Sequence, residues 1–195
     1  MNGYTVTKKK RTDFNHVLLS FAFILIFSAI LSPLFIVLPL QEIIYKPTGY
    51  WFFGPPRLAF GVFIGGILLL SFVLLGKVWL VSSEKYTKKM KNAFYISVLL
   101  SIFMMYLGID TYRYVDGDAI HVNSLFSFSE KKYNWTDIET ATETVNRTKV
   151  IFDFTFKNGD KYHILLNEFE RKSWSLINFE IEEAGVKLKR HQVQQ

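Results

Sequence analysis

The hydrophobic period of the chain changes once, near residue 110. Before that point long uncharged runs alternate with short charged loops; after it, apolar and polar residues alternate in short stretches. Residues 17–40 carry no charge, and seventeen of these 24 are Val, Leu, Ile or Phe. A second run covers residues 58–76 and continues past Lys77 to Val81. A third, residues 93–109, lies between Asn92 and Asp110. About 20 apolar residues suffice for a helix to cross the hydrocarbon, so the pattern predicts three transmembrane helices, at about 17–40, 58–81 and 93–109. The first run gains roughly 5–10 kcal/mol on insertion, at about 0.3–0.6 kcal/mol per central apolar residue. Pro33 and Pro39 predict a kink in its second half. A signal peptide competes for this run because "TKKKR" precedes it, but the run is long for an h-region and "FSAILSP" lacks a small-x-small site. The third run is short for a span, with a helix lying in the interface as its alternative.

Past residue 110 the alternation predicts six short strands and one helix. "TYRYVDGDAIHVNS" reads as two strands about an Asp116-Gly117 turn, and "LFSFSEKKYNW" as a third with Phe126 and Phe128 on one face. "IETATETV" is a fourth, with Glu139 and Glu143 pointing outward. "VIFDFTF" places Val150, Phe152, Phe154 and Phe156 on one face, and "NG" at 158–159 turns it into "KYHILL". The helix that follows is predicted to start at a capping box of Asn167 and Glu170 and to stop at Gly185. Phe169, Ser173, Leu176, Ile177, Ile181 and Ala184 form its sheet-facing side. The fold class is a membrane helical bundle followed by a small α+β domain.

Charge orients this arrangement. The chain is +6 overall, but residues 1–109 carry eleven Lys and Arg against three acids, and residues 110–195 carry twelve against fourteen. The soluble part is slightly acidic, which excludes a nucleic-acid partner. Lys8, Lys9, Lys10 and Arg11 precede the first span, and Lys85, Lys88, Lys89 and Lys91 separate the second from the third. Lys and Arg resist translocation, so residues 1–16 are predicted to be a basic cytoplasmic N-terminus of a multi-pass cell-membrane protein, and the C-terminal domain extracytoplasmic. The first loop holds Tyr45, Tyr50, Trp51, Phe52 and Phe53, a cluster of the kind that anchors at headgroup level, with a binding surface as the alternative.

Candidate chemistry is sparse. There is no Cys, and no charged residue lies inside a span apart from Lys77 near an end, which argues against a transport path. Gly61 and Gly65, one helical turn apart, are candidates for close helix packing within the bundle or between copies in a homo-oligomer. Of the four histidines, His121 and His163 fall in predicted strands without a third metal ligand, and read as solvated strand residues. No catalytic group, cofactor site or metal site is predicted. Residues 187–195 read as a polar, frayed tail.

The order of strands and helix resembles the bacterial pleckstrin-homology-like (PH-like) domains attached to small membrane proteins. The resemblance is carried by "YRYVDGDAIHV" and by "KKYNWTDIET", where Trp135, Asp137 and Ile138 match the segment by which that family enters a middle strand. It covers residues 111–185 within a domain at 110–186, with six strands where the family has seven. Physically, Trp135 and Ile138 read as core residues and Asp137 as a turn or cap residue; Trp135 as an exposed platform is the alternative. The resemblance implies a non-enzymatic interaction or scaffolding protein, partnered by the lipid bilayer and by another membrane or surface protein. Phosphoinositide binding is not expected: it would require a basic cluster at one open end of the barrel, and this domain is net acidic with its Lys and Arg scattered. A bacteriocin-immunity or membrane stress-resistance protein is the alternative function.

Overall fold

The computed structural model describes residues 3–127, 129–146, 149–167 and 171–192; the side chains of residues 3–13, 167, 171 and 192 lie outside that description. The chain forms two compact units, residues 1–44 with 55–111 and residues 45–54 with 112–195.

The first unit is helical. Helix α1 (Gly3–Ser28) is followed by a π-helical turn (Pro33–Val37) and by α2 (Leu38–Ile44). The first apolar run is therefore broken rather than continuous: the axes on either side of residues 29–32 differ by 83°. Pro33 has no N–H to return to Ala29, and the Ser32 hydroxyl takes that carbonyl instead, at 2.8 Å. Ser28 Oγ donates to Leu25 O at 3.2 Å in the same way. Two further helices, α3 (Arg57–Ser82) and α4 (Lys88–Asp110), form a hairpin. Both are long and apolar enough to cross a membrane, and the bent pair makes a third span if it is counted as one. At 23 residues, α4 is longer than the 93–109 stretch read from the sequence, because Thr87 caps it and Lys88–Lys91 form its first turn. The outward side chains are apolar: Phe27 and Ile43 are each 80% exposed and Phe35 75%.

Close packing between α3 and α4 falls on glycines other than the expected pair. A Cβ on Gly66 would lie 2.9 Å from Ser101 O, and one on Gly108 2.8 Å from Ala59 O. Gly65 meets only the tip of Met104, and Gly61 faces open space. The spacing of Gly61 and Gly65 is right for a seam, but the seam runs along a neighbouring row. Where α4 ends, its orphaned carbonyls are gathered by one fully buried side chain of α2. Gln41 Nε2 lies 2.9 Å from both Ile109 O and Thr111 O and 3.5 Å from Gly108 O.

The second unit contains two four-stranded sheets and one helix. Strands β1 (Phe52–Gly54), β2 (Tyr112–Val115), β3 (Ala119–Asn123) and β4 (Lys131–Asn134) pair antiparallel in that order. The second sheet has the order β7-β6-β5-β8, from β5 (Ile138–Asn146), β6 (Lys149–Phe156), β7 (Lys161–Asn167) and β8 (Leu188–Gln192). Helix α5 (Arg171–Glu183) packs Ser173, Ile177 and Ile181 inward. It stops at Gly185, where φ is +73° and Val186 N–H reaches back to Ile181 O. Phe152, Phe154, Phe156, Ile164 and Leu166 line the second sheet's inner face against Ile120, Val115 and Phe52 of the first. The expected positions of Phe128, Phe169 and Glu170 lie outside the described residues.

Three departures from the sequence reading have clear causes. The aromatic loop is part of this unit: Phe52 is buried in its core, Trp51 packs against that core, and Ser173 Oγ donates to Trp51 O at 2.6 Å. Glu143 points inward, because a register shift between Ile138 and Thr140 moves the following residues to the other face. And residues 188–192 are a strand, paired in parallel with β5. Buried Glu143 explains the last point, since Arg190 Nε donates to its Oε2 at 2.9 Å and Trp174 Nε1 to its Oε1 at 2.6 Å.

Candidate functional site

Trp135, Asp137 and Ile138 occupy the crossing between the sheets. Trp135 and Ile138 are buried, and the Trp135 indole donates to Asp116 O at 3.2 Å. Asp137 is exposed in a 3-10 turn (Trp135–Asp137), where its carboxylate accepts from Asn134 Nδ2 at 3.0 Å and its carbonyl from Lys157 N at 2.9 Å. Trp135 and Ile138 build the corner, and exposed Asp137 lines the cleft beside β4.

The densest polar constellation lies on the first sheet. Tyr112 and Tyr114, two apart on β2, share a face with His121, which is opposite Tyr114 on β3. The Asp116 carboxylate forms the β2–β3 turn, accepting from Asp118 N–H at 3.0 Å and Ala119 N–H at 2.9 Å. Glu130, just before β4, receives the Tyr112 hydroxyl at 2.9 Å and the Tyr114 hydroxyl at 3.2 Å. His121 is buried between the two acids, with Nδ1 2.6 Å from Glu130 Oε1 and Nε2 3.3 Å from Asp116 Oδ2. It is thus not a solvated strand histidine, and His163, exposed on β7 in the other sheet, is not its neighbour. Burial and then the Glu130 hydrogen bond raise the Tyr112 phenol well above its usual range. Burial and then the Glu130 charge push Tyr114 up to about 12.

This cluster acts as a clamp. Its carboxylates face opposite nitrogens of one ring, so they share no point at which a cation could be held, and among the described residues no group of three or more His, Asp or Glu is arranged for a metal. What it fastens is the segment between β3 and β4. Glu130 carried no periodic signal, so sequence reasoning had no reason to single it out.

A second feature is a cleft of about 350 Å³ between β4 and the β6–β7 turn, lined by Lys131, Lys132, Lys157, Asn158 and Asp160. Lys131 Nζ lies 2.9 Å from Asp160 Oδ2, and the Tyr133 hydroxyl donates to the same oxygen at 3.1 Å. The Lys131 hydrogen bond, then that of Tyr133, holds the Asp160 carboxyl below its usual range. Lys157 Nζ donates to Thr136 O at 2.7 Å.

Neither a scan against protein-family models nor a search of curated proteins finds a match to this chain.

Proposed function

We propose that the chain is a multi-pass membrane protein whose PH-like domain is a non-enzymatic interaction module for another membrane or surface protein. The observation that carries this reading is the assembly of the domain from two segments, 45–54 and 112–195, on either side of the α3–α4 hairpin. A domain tethered to its spans at both ends of that hairpin is suited to presentation at the membrane surface. The PH-like assignment is supported by two small sheets closed at one side by a helix, and by the extra strand that β1 contributes. The non-enzymatic reading is supported by the engagement of Glu130 by the Tyr112 and Tyr114 hydroxyls and by His121 Nδ1.

Both ends of the α3–α4 hairpin lead into the sheet domain, so they share its compartment. The basic turn between α3 and α4 then lies on the opposite side, and by the positive-inside rule that side is cytoplasmic. The domain is outside, with the N-terminus inside if the bent pair crosses once.

The native lack of Cys makes the test direct. Intact cells carrying Ser83→Cys or Asp118→Cys are treated with a membrane-impermeant maleimide. Labelling of Asp118→Cys alone is expected; labelling of Ser83→Cys alone would invert the topology. A photo-crosslinker replacing exposed Phe179 of α5 then reports on partners. A single discrete adduct is expected, and one of twice the protein's own mass would mean self-association. No adduct at Phe179 or at Glu182 would sink the interaction reading.

A further inference from the structure

Among the described residues His121 is the one buried histidine, and titratable groups meet it from each neighbouring element. Tyr114 of β2 stacks on its ring at 4.1 Å between centroids and 9° between planes. Glu130 Oε1, ahead of β4, is 2.6 Å from Nδ1, and Asp116 Oδ2, in the β2–β3 turn, is 3.3 Å from Nε2. Lys132 is opposite His121 in the β3–β4 ladder and shares its face. Tyr112 joins the group through Glu130.

A neutral imidazole has one N–H and one lone pair, so it can donate to only one of two acids; the imidazolium donates from both nitrogens. The closer acid is Glu130, which the Tyr112 and Tyr114 hydroxyls also hold. Nε2 is buried, and its contact with Asp116 is one of charge rather than a formed hydrogen bond. That contact is favourable when Nε2 carries a proton, and sets a lone pair against an anion when it does not. Asp116 cannot simply swing aside, because its Oδ1 accepts the backbone N–H groups of Asp118 and Ala119 at 3.0 and 2.9 Å. To turn its carboxylate from the ring is to release the turn.

The turn has neighbours that would register such a change. The Trp135 indole donates to Asp116 O at 3.2 Å, and a Cβ on Gly117 would lie 3.5 Å from the Trp51 ring. Asp118 is close enough to α5 for its charge to reach Glu180.

We propose that His121 is a proton-sensitive latch: the doubly protonated ring fastens the β2–β3 turn through Asp116, and loss of one proton loosens that turn beside α5. The latched form binds one proton more than the released form, so it is favoured as pH falls and given up as pH rises. The window runs from about pH 5, below which carboxylates begin to take up protons, to about pH 8. Lys132 works against the latch, because its charge opposes that of the imidazolium. The device belongs to the sheet domain alone and goes beyond the interaction reading, to which it adds a control by pH.

The test is hydrogen exchange of the full chain in detergent at about pH 6 and about pH 8, on either side of the range in which histidine ordinarily changes charge. Rates are divided by those of unstructured peptide at the same pH. The Asp118 and Ala119 amides are expected to lose protection about tenfold at the higher pH, the scale of one charge-assisted hydrogen bond, while the amides of Phe152, Phe154 and Phe156 in β6 keep theirs. Asp116→Asn retains the acceptor for both amides and removes the anion before Nε2, so its turn should stay protected at both pH values. His121→Gln should also lose the response, and Lys132→Gln should move the loosening to higher pH. Equal protection of the wild-type turn at the two pH values overturns the proposal. So does a response that persists in Asp116→Asn, or an Asp116→Asn turn that is open at both. Should His121→Gln fail to fold, Asp116→Asn decides the matter without it. The crosslinking at Phe179 is a separate readout, so either reading can fail while the other stands.

Discussion

The indoles of Trp51 and Trp135 stack at 6.3 Å between centroids and 23° between planes, although two long apolar helices separate them in the chain. Trp135 in turn meets Phe154 edge-on at 6.3 Å. Trp51 is thus a packing residue of the sheet domain, and Trp51→Ala is expected to destabilise that domain by about 2–4 kcal/mol. Limited proteolysis of the detergent-solubilised protein checks this. Trp79→Ala, on the exposed side of α3, should leave the domain's cleavage rate unchanged. If Trp51 were only a headgroup anchor, the two substitutions would behave alike.

The α3–α4 seam gives a second prediction. Gly66→Ala and Gly108→Ala should each cost about 1–3 kcal/mol, because the added methyl meets backbone that cannot move aside easily. Gly61→Ala, with open space around it, should be neutral or slightly stabilising through helix propensity. Thermal aggregation midpoints in detergent rank the three. An equal loss at Gly61 would place the seam where the sequence spacing suggested.

Gln41 is expected to matter more than its position in a seven-residue helix suggests. Gln41→Leu leaves the carbonyls of Ile109 and Thr111 without their donor, at a cost of about 1–3 kcal/mol. Gln41→Glu should be at least as harmful, since a carboxylate cannot donate to them. Hydrogen exchange at the last turn of α4 reads the effect locally; unchanged protection in Gln41→Leu would refute the capping role.

Alkaline titration probes the clamp. Tyr114 ordinarily ionises near 10.0 and is held up to about 12 in the folded protein. A raised folded-state value means that the neutral phenol favours folding, so this contribution is whole below about pH 10 and fades as pH climbs through about 12. Tyr112 adds to the same trend. Phenolate absorbance should therefore show late-titrating tyrosines, Tyr133 and Tyr162 also being raised by burial, and Glu130→Gln should move Tyr112 and Tyr114 alone toward the ordinary range while burial keeps them above it. No change on Glu130→Gln would mean that Glu130 does not engage them in solution.

How legible these features were depended on the range of the forces involved. Strand β6 is read directly from alternating Phe152, Phe154 and Phe156, and the inward side of α5 from Ser173, Ile177 and Ile181, because one local period decides each. The α4 hydrophobic run was visible, but its cap at Thr87 lengthens it beyond the apolar stretch. Strict alternation points Glu143 outward because it has no place for the irregularity at Ile138 and Thr140. Residues 188–192 read as a loose tail because a charged strand is stabilised here by a carboxylate 47 positions earlier. Trp51 and Phe52 looked like membrane anchors since nothing near them in sequence reveals a sheet partner. The His121 clamp depends on Glu130, whose role exists only once β2 and β3 are side by side.

The pairing of Gly54 with Arg113 makes β1 and β2 the two arms of an ordinary β-hairpin whose turn has been replaced by two helices, each long and apolar enough to cross a membrane. The ladder cannot close until α3 and α4 have both been synthesised, so the domain completes itself late. It also means that the α3–α4 insertion is removable in principle. Joining Gly54 to Tyr112 through a short Asn-Gly turn gives a minidomain without the two apolar helices that keeps Trp51 and Phe52, whereas a fragment starting at Tyr112 lacks one edge of its own sheet.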